Sequence, residues 1–562
     1  MIFKDFCLNL ERIEEVSSRN MKIDLCVELL LRIDTSDLQE TIYFLNSRIN
    51  PIFSKEELNI GKGILINVLA RYSKDKRRIA DKLKRSGDIG DFASIFIPKE
   101  KDKILSLSLF SEKDDQLDLH DVFDILEKCT KMVGKGSSKL KEDLLYSATL
   151  RMSDVELKYF FRCLSGNIRC GISERSLVEV IGRAEHSENI EKNFYATSDL
   201  GRVAVNARKN PDSILDISLG YPIFPKLVER GKSIDDIFSR IQEPLVQPKF
   251  DGLRLNIHVL SKKNEVKIFT RGLEDMTESF PEIVEALKGI GRDMILDGEG
   301  IGIDNNGKMF SFQDTIKRKR KYNVKQESKN IPFKFFIFDI LYLDGNSLLN
   351  EPLYIRLDLL KSLKLDCYSQ VIKYTDNMSF TDVKEANSFF LEQINKGMEG
   401  IVAKDKLSKY TPGIRNFDWI KLKKSSHVTD TIDAVCLGYY RGSGSRSNGV
   451  GAILVGLMGD DENYYTIAKI GSGLTDSLVK SLKKRIDDIS VEGYDKYIIP
   501  KELAPDVYCL PQIVVEVKAD DISYSSIHSS GKALRFPRLI RIRDDKKVSD
   551  QTGLTEFINM KI

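Results

Sequence analysis

The chain has 562 residues, which is too long for one hydrophobic core and predicts about three or four domains. Hydrophobic residues make up 41% and charged residues 30% of the sequence, which excludes collagen-like, coiled-coil and wholly disordered proteins. The 87 basic residues nearly balance the 84 acidic ones, so net charge alone does not indicate a nucleic-acid partner.

The sequence gives no indication of export or of a membrane span. Acidic residues from Glu11 onward interrupt the start of the chain, where a signal peptide would be apolar. The most apolar stretch, 333–343, contains Lys334 and Asp339 and is far shorter than the roughly 20 residues that cross a bilayer. The eight cysteines have no zinc-site spacing. We therefore expect buried thiols in a reducing cytoplasm.

Roughly the first 210 residues carry apolar side chains at helical spacing. In one segment Ser153 and Glu156 have the spacing of a capping box, apolar residues between 157 and 164 form one face, and Gly166 follows as a stop signal. Residues 1–214 are therefore predicted to form an all-α domain.

From about residue 245 the apolar period changes to two. Between Leu253 and Val259 apolar side chains alternate with Arg254, Asn256 and His258, which predicts a strand of an antiparallel sheet with one polar face. Helical stretches separate the further strand-like runs, so residues 215–424 are predicted to form an α+β domain with antiparallel sheets. These runs are at 294–296, 335–343 and 400–403.

Short strand-like runs return beyond about residue 425. A Gly/Ser-rich loop at 442–451 lies among them. Residues 425–562 are therefore predicted to form a small β-barrel. The runs are at 435–437, 452–457, 465–470 and 513–517.

One lysine has the setting of a catalytic nucleophile. Lys249 precedes the turn at Asp251-Gly252, and the next strand begins with Arg254 on its polar face. This setting holds a lysine at the mouth of a cleft, where Asp251 orients it. Lys-x-Asp-Gly alone is a short pattern, and a solvent-exposed hairpin lysine would show it too. Further motifs have to decide between these interpretations.

Five further motifs follow Lys249 in order, and the complete set resembles the covalent nucleotidyltransferases and, within them, the ATP-dependent DNA ligases. The motifs are Thr270-Arg271-Gly272, Leu296-Asp297-Gly298-Glu299-Gly300, Phe336-Ile337-Phe338-Asp339-Ile340-Leu341-Tyr342, Met398-Glu399-Gly400-Ile401-Val402-Ala403-Lys404 and Trp419-Ile420-Lys421-Leu422-Lys423.

Other segments resemble the ligases in particular, over nearly the whole chain. Tyr410-x-Pro412-Gly413-x-Arg415 and the late Leu-Arg-Phe-Pro-Arg at 534–538 are two of them. Segments 87–91, 169–172 and 197–201 are similar to landmarks of the helical DNA-binding domain in archaeal and eukaryotic-type replicative ligases. The resemblance implies that the C-terminal barrel is an OB-fold.

The resemblance also implies the residues of the site. Lys249 would carry AMP, with Asp251 beside it, and Glu299 and Glu399 would hold Mg²⁺ or Mn²⁺, for which carboxylates are suitable ligands. Phe338 lies in an apolar run typical of a core, whereas the matching family position stacks on adenine. The implied nucleotide-binding residues are Gln247, Arg254, Arg271, Glu299, Phe338, Arg415, Lys421, Lys423, Arg538 and Lys546.

Some positions depart from the family pattern or fall outside it. Gln247 stands where the family usually has Glu, and its carbonyl oxygen can still accept a hydrogen bond from the adenine amino group. Lys226 stands where relatives often have Met, which we interpret as neutral. The basic run 317–321 suits contact with DNA phosphates.

The implied activity is the sealing of nicks in double-stranded DNA through a lysyl-AMP enzyme and a 5′-adenylated DNA, with ATP as cosubstrate. It implies work in DNA replication, repair and recombination, and in the cell cycle and cell division. Nicked duplex DNA is the expected partner; a sliding clamp is a second candidate, although the sequence shows no clear clamp-binding motif. We expect a monomer in the cytoplasm, at the nucleoid of a prokaryote, or in the nucleus of a eukaryote.

Two alternatives remain open. An mRNA-capping enzyme or RNA ligase shares Lys-x-Asp-Gly, although the helical domain and the Leu-Arg-Phe-Pro-Arg segment argue against it. A non-catalytic DNA-binding scaffold with a decayed nucleotidyltransferase domain would not need the intact Lys249, Glu299 and Glu399. An NAD-dependent ligase would be expected to carry a four-cysteine zinc module, which the sequence lacks.

Overall fold

The structure is a computed structural model, and the chain forms two compact units, Met1–Leu422 and Lys423–Ile562. The predicted boundary at residue 214 lies inside the first unit and stays a prediction. The residues that the structure describes are 1–73, 76–105, 116–304, 307–310, 312–319, 331–424, 431–442 and 449–560.

The described residues before 210 fold into helices. The helices are α1 (Phe3–Glu15), α2 (Arg19–Leu31), α3 (Thr35–Leu45), α4 (Lys62–Ser73), α5 (Lys76–Ser86), α6 (Ile89–Leu105), α7 (Leu119–Lys131), α8 (Ser137–Thr149), α9 (Asp154–Leu164), α10 (Glu174–Ala184), α11 (Ile190–Thr197) and α12 (Leu200–Lys209). Their apolar faces share one core. The predicted helical region is therefore confirmed.

Helix α9 shows how the local sequence specifies this region. The backbone N–H of Ser153 donates to Glu156 Oε2 at 2.8 Å, which completes the predicted capping box. Phe160 and Phe161 are fully buried on the predicted face. Gly166 follows the helix with φ +75°, a conformation that glycine adopts without strain.

Two of the segments that resemble ligase landmarks meet at the buried Arg162. Its Nε donates to Asp88 Oδ2 at 3.0 Å, and its Nη1 donates to Glu14 Oε2 at 2.7 Å. Arg169 Nε lies 3.3 Å from the same Asp88 oxygen. Because Arg162 is only 2% exposed, removing one of these partners would leave a buried charge uncompensated. The segments at 87–91 and 169–172 therefore stabilise the packing of the helices.

Two sheets make up most of the remainder of the first unit. In spatial order, the first sheet contains β1 (Leu227–Arg230), β11 (Arg415–Lys423), β10 (Gly400–Asp405), β2 (Pro244–Lys249) and β9 (Met378–Ser379). The second contains β4 (Glu265–Thr270), β3 (Leu253–Leu260), β5 (Met294–Gly302), β6 (Phe333–Leu343) and β7 (Asn346–Ser347), with β8 (Ile372–Tyr374) beside β6. The accompanying helices are α13 (Ile234–Phe238), α14 (Pro281–Leu287), α15 (Phe312–Thr315), α16 (Leu353–Ser362) and α17 (Val383–Asn395).

Each sheet packs one face on helices and leaves the other for the cleft. The first sheet shares a core with α13 and α17, and the second shares a core with α14 and α16. Across the other two faces, Trp419 of the first sheet contacts Phe338 of the second. The strands predicted at 294–296, 335–343 and 400–403 lie within β5, β6 and β10, so the α+β prediction is confirmed. The prediction of antiparallel sheets is wrong for one pair in each sheet, because β1 pairs with β11 and β8 with β6 in parallel.

The polar face predicted for β3 is not exposed to solvent. Arg254 is largely buried, Asn256 is buried and His258 is fully buried. His258 Nδ1 accepts from the backbone N–H of Gly220 at 3.1 Å, and Nε2 lies 2.7 Å from Asn256 Oδ1, to which it donates. The predicted polar face is therefore present, but other parts of the chain cover it.

His258 predicts an acid-sensitive fold. Burial lowers the pKa of His258 from 6.5 to about 3. Below pH 6.5 the unfolded chain binds a proton that the folded chain does not, so this stability is present above pH 6.5 and is lost as the pH falls toward 3. When the pH falls from 7 to 5, the free energy of unfolding of the unchanged chain should decrease by about 2 kcal/mol more than that of His258→Gln.

Denaturant titrations of the first unit at both pH values measure this difference. His186→Asn, at an exposed histidine, is the control and is expected to follow the unchanged chain. Equal pH dependence of His258→Gln and the unchanged chain would show that the buried imidazole does not control acid stability.

The second unit is rich in β-structure. Its strands are β12 (Ile432–Arg441), β13 (Val450–Met458), β14 (Tyr464–Ile470), β15 (Ser490–Val491), β16 (Tyr497–Ile498), β17 (Val507–Cys509), β18 (Val514–Lys518), β19 (Asp521–Tyr524), β20 (Lys532–Arg535) and β21 (Arg538–Ile542), with helices α18 (Asp476–Asp488) and α19 (Leu554–Asn559). Strands β12, β13 and β14 form an antiparallel meander, and β18 joins β12 to β21. The four predicted strands fall on β12, β13, β14 and β18, whereas the OB-fold stays a prediction. Much of the predicted loop 442–451 lies outside the described residues.

The prediction of buried thiols is confirmed for seven cysteines and wrong for Cys367. Seven of the eight thiols are buried and Cys367 is exposed, and all eight are free. None of the helices in the described ranges is long and apolar enough to cross a membrane.

Candidate active site

Lys249 lies at the mouth of the cleft, where β2 ends. Its backbone pairs with Gly400 of β10, and its carbonyl accepts a hydrogen bond from the Glu399 N–H at 2.9 Å. This pairing brings the Glu399 carboxylate into an ion pair with the Lys249 ammonium. Both side chains remain about one-fifth exposed, at 22% and 23%. A phosphate can therefore approach Nζ from solvent.

Glu299 reaches the cleft from the second sheet. It pairs with Arg254 across β5 and β3, so the two side chains lie on one face. Burial in the cleft raises the pKa of Glu299 to about 7, and the nearby charges of Lys249 and Arg254 only partly oppose this. A bound cation would favour the charged carboxylate.

Glu299 and Glu399 are suitable ligands for magnesium. This ion usually binds one or two protein carboxylates together with substrate phosphates and water. Within the described ranges, no group of three or more His, Cys, Asp or Glu side chains is placed to hold a metal. The donor set therefore fits a magnesium ion that arrives with phosphates and not a site made of protein ligands alone.

Arg254 is held in a network that the sequence did not predict. Its Nε and Nη2 donate to the two oxygens of Asp297 at 3.1 and 2.7 Å, and its Nη1 donates to the carbonyl of Lys226 at 2.8 Å. Tyr410 Oη donates to the same Asp297 at 2.7 Å. Asp297 and Tyr410 lie in motifs that the sequence singled out, yet their pairing across 113 residues is visible only in the fold.

Lys226 is part of this network, so its interpretation as a neutral replacement is wrong. Its side chain has no exposed surface, and Nζ donates to the Lys409 carbonyl at 2.7 Å and to Asp418 at 3.1 Å. Lys226 also supplies the carbonyl that binds Arg254. It therefore connects the segment before β1 to the residues before and within β11.

The innermost part of the cleft is aromatic. Phe338 is half-buried and meets Trp419 edge to face, with ring centroids 6.4 Å apart. Arg254 Cζ lies 5.4 Å from the Phe338 centroid. The apolar run around Phe338 thus contributes a ring to the cleft, which is compatible with stacking on a base.

Gln247 is buried on β2. It pairs with Val402 across β2 and β10, and its Nε2 donates to Asn377 Oδ1 at 2.5 Å. Because the amide NH₂ is used in this way, Oε1 is the part of Gln247 suited to accept from an adenine amino group.

The other predicted residues of the first unit lie around the cleft strands. Asp251 and Arg271 are exposed, in the turn after β2 and just after β4, and Arg415 is the exposed first residue of β11. Lys421 and Lys423 are half-buried and alternate with buried residues of the helix-side core. Lys421 and Lys423 therefore share one face of β11, and the roles of all five residues stay predictions.

Arg538 and Lys546 belong to the second unit. Arg538 is exposed at the start of β21, and Lys546 Nζ lies 2.6 Å from Asp433. Arg543 also pairs with Asp433, at 3.0 Å. The nucleotide-binding role of Arg538 and Lys546 stays a prediction.

The basic run 317–321 only partly lies in the described residues. Arg318 has no exposed side-chain surface; it pairs with Glu282 and donates to the Ser279 carbonyl at 2.9 Å. The prediction of a phosphate contact is therefore wrong for Arg318, since the fold uses its charge internally. The side chains of the other four residues lie outside the described residues.

Three family descriptions match the chain in order. "DNA ligase N terminus" matches residues 2–182, "ATP dependent DNA ligase domain" matches 225–423, and "ATP dependent DNA ligase C terminal region" matches 446–546. Together they cover most of the helical region, the cleft and the second unit.

Relatives match over the full length. A probable DNA ligase of Dictyoglomus thermophilum is 35% identical and a DNA ligase of Pyrobaculum calidifontis is 30% identical, each over 100% of this chain and 97% or 98% of the relative. The solved structure titled Pmar-Lig_PreS3 has a similar fold, with a TM-score of 0.56 and 19% identity over 96% of this chain and 99% of that one. The chain belongs to the ATP-dependent DNA ligase family.

Proposed function

We propose that this ligase seals nicks in double-stranded DNA, with Lys249 as the nucleophile. The observation that carries the proposal is the position of Lys249 at the mouth of a cleft, against Glu399 and near Glu299. Nζ attacks the α-phosphorus of ATP, a P–N bond forms, the bond to pyrophosphate breaks, and Nζ loses its proton. AMP then passes to the 5′-phosphate at the nick, and the 3′-hydroxyl displaces AMP.

The residues of the cleft have different parts in this sequence. Phe338 and Gln247 bind the adenine, and Lys421 and Lys423 bind the α-phosphate. Magnesium on Glu299 and Glu399 would neutralise phosphate charge. Each step is an in-line transfer to which positioning and charge neutralisation contribute most of the rate.

The second unit is proposed to act as an OB-fold that places Arg538 and Lys546 over the pyrophosphate in the first step and closes on DNA afterwards. We also propose the division at residues 214 and 424, and work in replication, repair and recombination, on the ground of the family.

Labelling followed by sealing tests this proposal. The purified chain, incubated with α-labelled ATP and Mg²⁺, is expected to acquire a covalent label that nicked DNA removes as the strand is sealed. A chain that labels but seals only nicked RNA would be an RNA ligase, and a chain that never labels would be a scaffold.

Affinity for the nick is expected to depend on phosphate contacts of the helical region. On α5, Lys76, Arg77 and Lys82 are exposed while Ile79 and Leu83 are buried; the adjoining Lys74 and Asp75 lie outside the described residues. Affinity for DNA falls as the salt concentration rises. Replacing these three basic residues by Ala should make this fall less steep, by up to about 3 in the slope of log affinity against log salt, because each lost contact releases about one counterion fewer.

Fluorescence anisotropy with nicked DNA over a range of salt concentrations measures this slope, and self-adenylylation should be unchanged. The control replaces the exposed Lys262, Lys263 and Lys288 by Ala. Equal slopes for the two triple variants would show that α5 does not grip DNA.

A further inference from the structure

The side chain of Gln247 has two ends of nearly equal size and opposite hydrogen-bonding character. Its carbonyl oxygen Oε1 accepts hydrogen bonds and its amide nitrogen Nε2 donates them. Adenine carries an amino group, a donor, at the position where guanine and hypoxanthine carry a carbonyl oxygen, an acceptor. The end of Gln247 that faces the nucleotide therefore decides which base it favours. A glutamate at this position would offer two acceptors and would need no orientation.

Gln247 faces the cleft from β2. Val246 packs in the core with α13 and α17, so its neighbours on the strand point the other way, and Leu245 accordingly packs in the core of the second sheet. Gln247 lies two residues before Lys249 on this face, about 7 Å away along the strand. Because Gln247 is only 2% exposed, the groups around it restrict how its amide turns.

The neighbouring edge strand brings Asn377 to the Gln247 amide. Val246 pairs with Met378 across β2 and β9, so Asn377 lies next to Gln247 in the antiparallel register. Gln247 Nε2 donates to Asn377 Oδ1 at 2.5 Å. The reverse orientation of the amide would bring Gln247 Oε1 against Asn377 Oδ1, two acceptors with no proton between them, unless Asn377 turned as well.

The backbone opposes such a turn of Asn377. Asn377 Nδ2 donates to the carbonyl of Thr375 at 3.0 Å, and a carbonyl oxygen can only accept. Thr375 is buried, and its own N–H donates to the carbonyl of Ile337 in β6 at 2.9 Å. The Thr375 carbonyl therefore fixes Asn377, and Asn377 in turn fixes Gln247 with Oε1 left for the nucleotide.

We propose that Asn377 is a positioning residue that determines base specificity, because it holds the Gln247 amide so that Oε1 accepts a hydrogen bond from the adenine amino group. The inference rests on the proposed role of the cleft as the ATP site. It explains how a glutamine can recognise adenine where the family usually has glutamate, since Asn377 leaves the amide only one favourable orientation.

Asn377→Leu tests this role by removing the accepting oxygen at similar side-chain size. The Gln247 amide should then adopt both orientations, and the turned amide can donate to the carbonyl oxygen of hypoxanthine. The measurement is kcat/KM for self-labelling with α-labelled ATP and with α-labelled ITP, whose base is hypoxanthine. The unchanged protein should prefer ATP by at least about 100-fold, and Asn377→Leu should lower this preference about 10-fold. The kcat with ATP should stay within about threefold, because Lys249 is unaltered.

Gln247→Glu in the Asn377→Leu chain shows whether the effect acts through Gln247. At pH 8, well above the usual pKa of glutamate, the carboxylate offers an acceptor in either orientation, so the double variant should recover the preference for ATP. A packing defect at residue 377 would not be repaired in this way. Asn387→Leu, at an exposed position of α17, is the matched control and should keep the preference of the unchanged protein.

Asn377→Ala keeps the test valid if leucine disturbs folding. Asn377 is only half-buried, and alanine also removes the acceptor, so this variant should show the same fall in preference for ATP.

Equal changes of kcat/KM for ATP and ITP in the Asn377 variants would overturn the inference in favour of a structural role, as would an unchanged protein that labels equally well with ITP. A double variant that stays unselective would also overturn it, because the effect would then not act through Gln247. If the unchanged protein fails to label with ATP, the proposed function itself is wrong. That result is distinct from equal changes in a protein that labels, which contradict only the role of Asn377.

Discussion

Lys249→Ala is expected to abolish the covalent AMP adduct, lowering self-adenylylation by roughly 10⁴-fold or more, while binding of nicked DNA is retained. The reason is that the other lysines on the proposed reaction path, Lys421 and Lys423, are assigned to the phosphate and leave no second nucleophile at the α-phosphorus. Gel analysis after incubation with α-labelled ATP measures the adduct, and anisotropy measures DNA binding.

Lys249→Arg distinguishes nucleophilicity from charge. It preserves a cation that can pair with Glu399, but the guanidinium stays protonated and cannot attack, so the adduct should again be absent. Lys262→Ala, at the exposed turn after β3, is the matched control and should label normally. An adduct that persists in Lys249→Ala would mean that another residue is the nucleophile.

Features that depend on neighbours in sequence were predictable. The capping box at Ser153, the stop at Gly166 and the alternation in β3 are set by local hydrogen bonding and by side-chain period. The family could be identified from the motifs and their order, because the residues of each motif stand close together in the sequence. Lys249 was singled out from the turn that follows it, and the further motifs decided its interpretation as the nucleophile, which stays a prediction.

Features that depend on what covers a surface were not predictable. Alternation along β3 correctly indicated a strand, yet the pattern is the same whether the polar face meets water or other protein groups. In the fold, His258 and Asn256 are covered and satisfied by hydrogen bonds. Lys226 and Asp418 form an ion pair across 192 residues, and no local spacing signals such a pair.

The same reasoning explains the position of Lys404. It ends an apolar motif, and a lysine at the end of a strand normally extends its ammonium to solvent. In the fold two aromatic rings flank Nζ, which requires both sheets to be in place.

Ending the chain at Lys424 is expected to suppress self-adenylylation by about 100-fold or more. Strand β11 remains intact in this truncation, since the strand ends at Lys423 and the second compact unit begins there. The lost groups are Arg538 and Lys546, which are proposed to orient the pyrophosphate as it leaves. Single-turnover labelling with α-labelled ATP measures the effect, and full-rate labelling by the truncated chain would contradict the role of the second unit.

Two point variants test the same role without removing a domain. Arg538→Ala changes an exposed residue, and Lys546→Ala leaves Asp433 paired with Arg543, so the second unit should stay folded. Both should slow labelling by ATP. The last step, sealing of a pre-adenylylated nick, involves no pyrophosphate, so both variants should perform it at close to the normal rate. Normal labelling with a loss in sealing would assign Arg538 and Lys546 to DNA binding instead, because labelling by ATP involves no DNA.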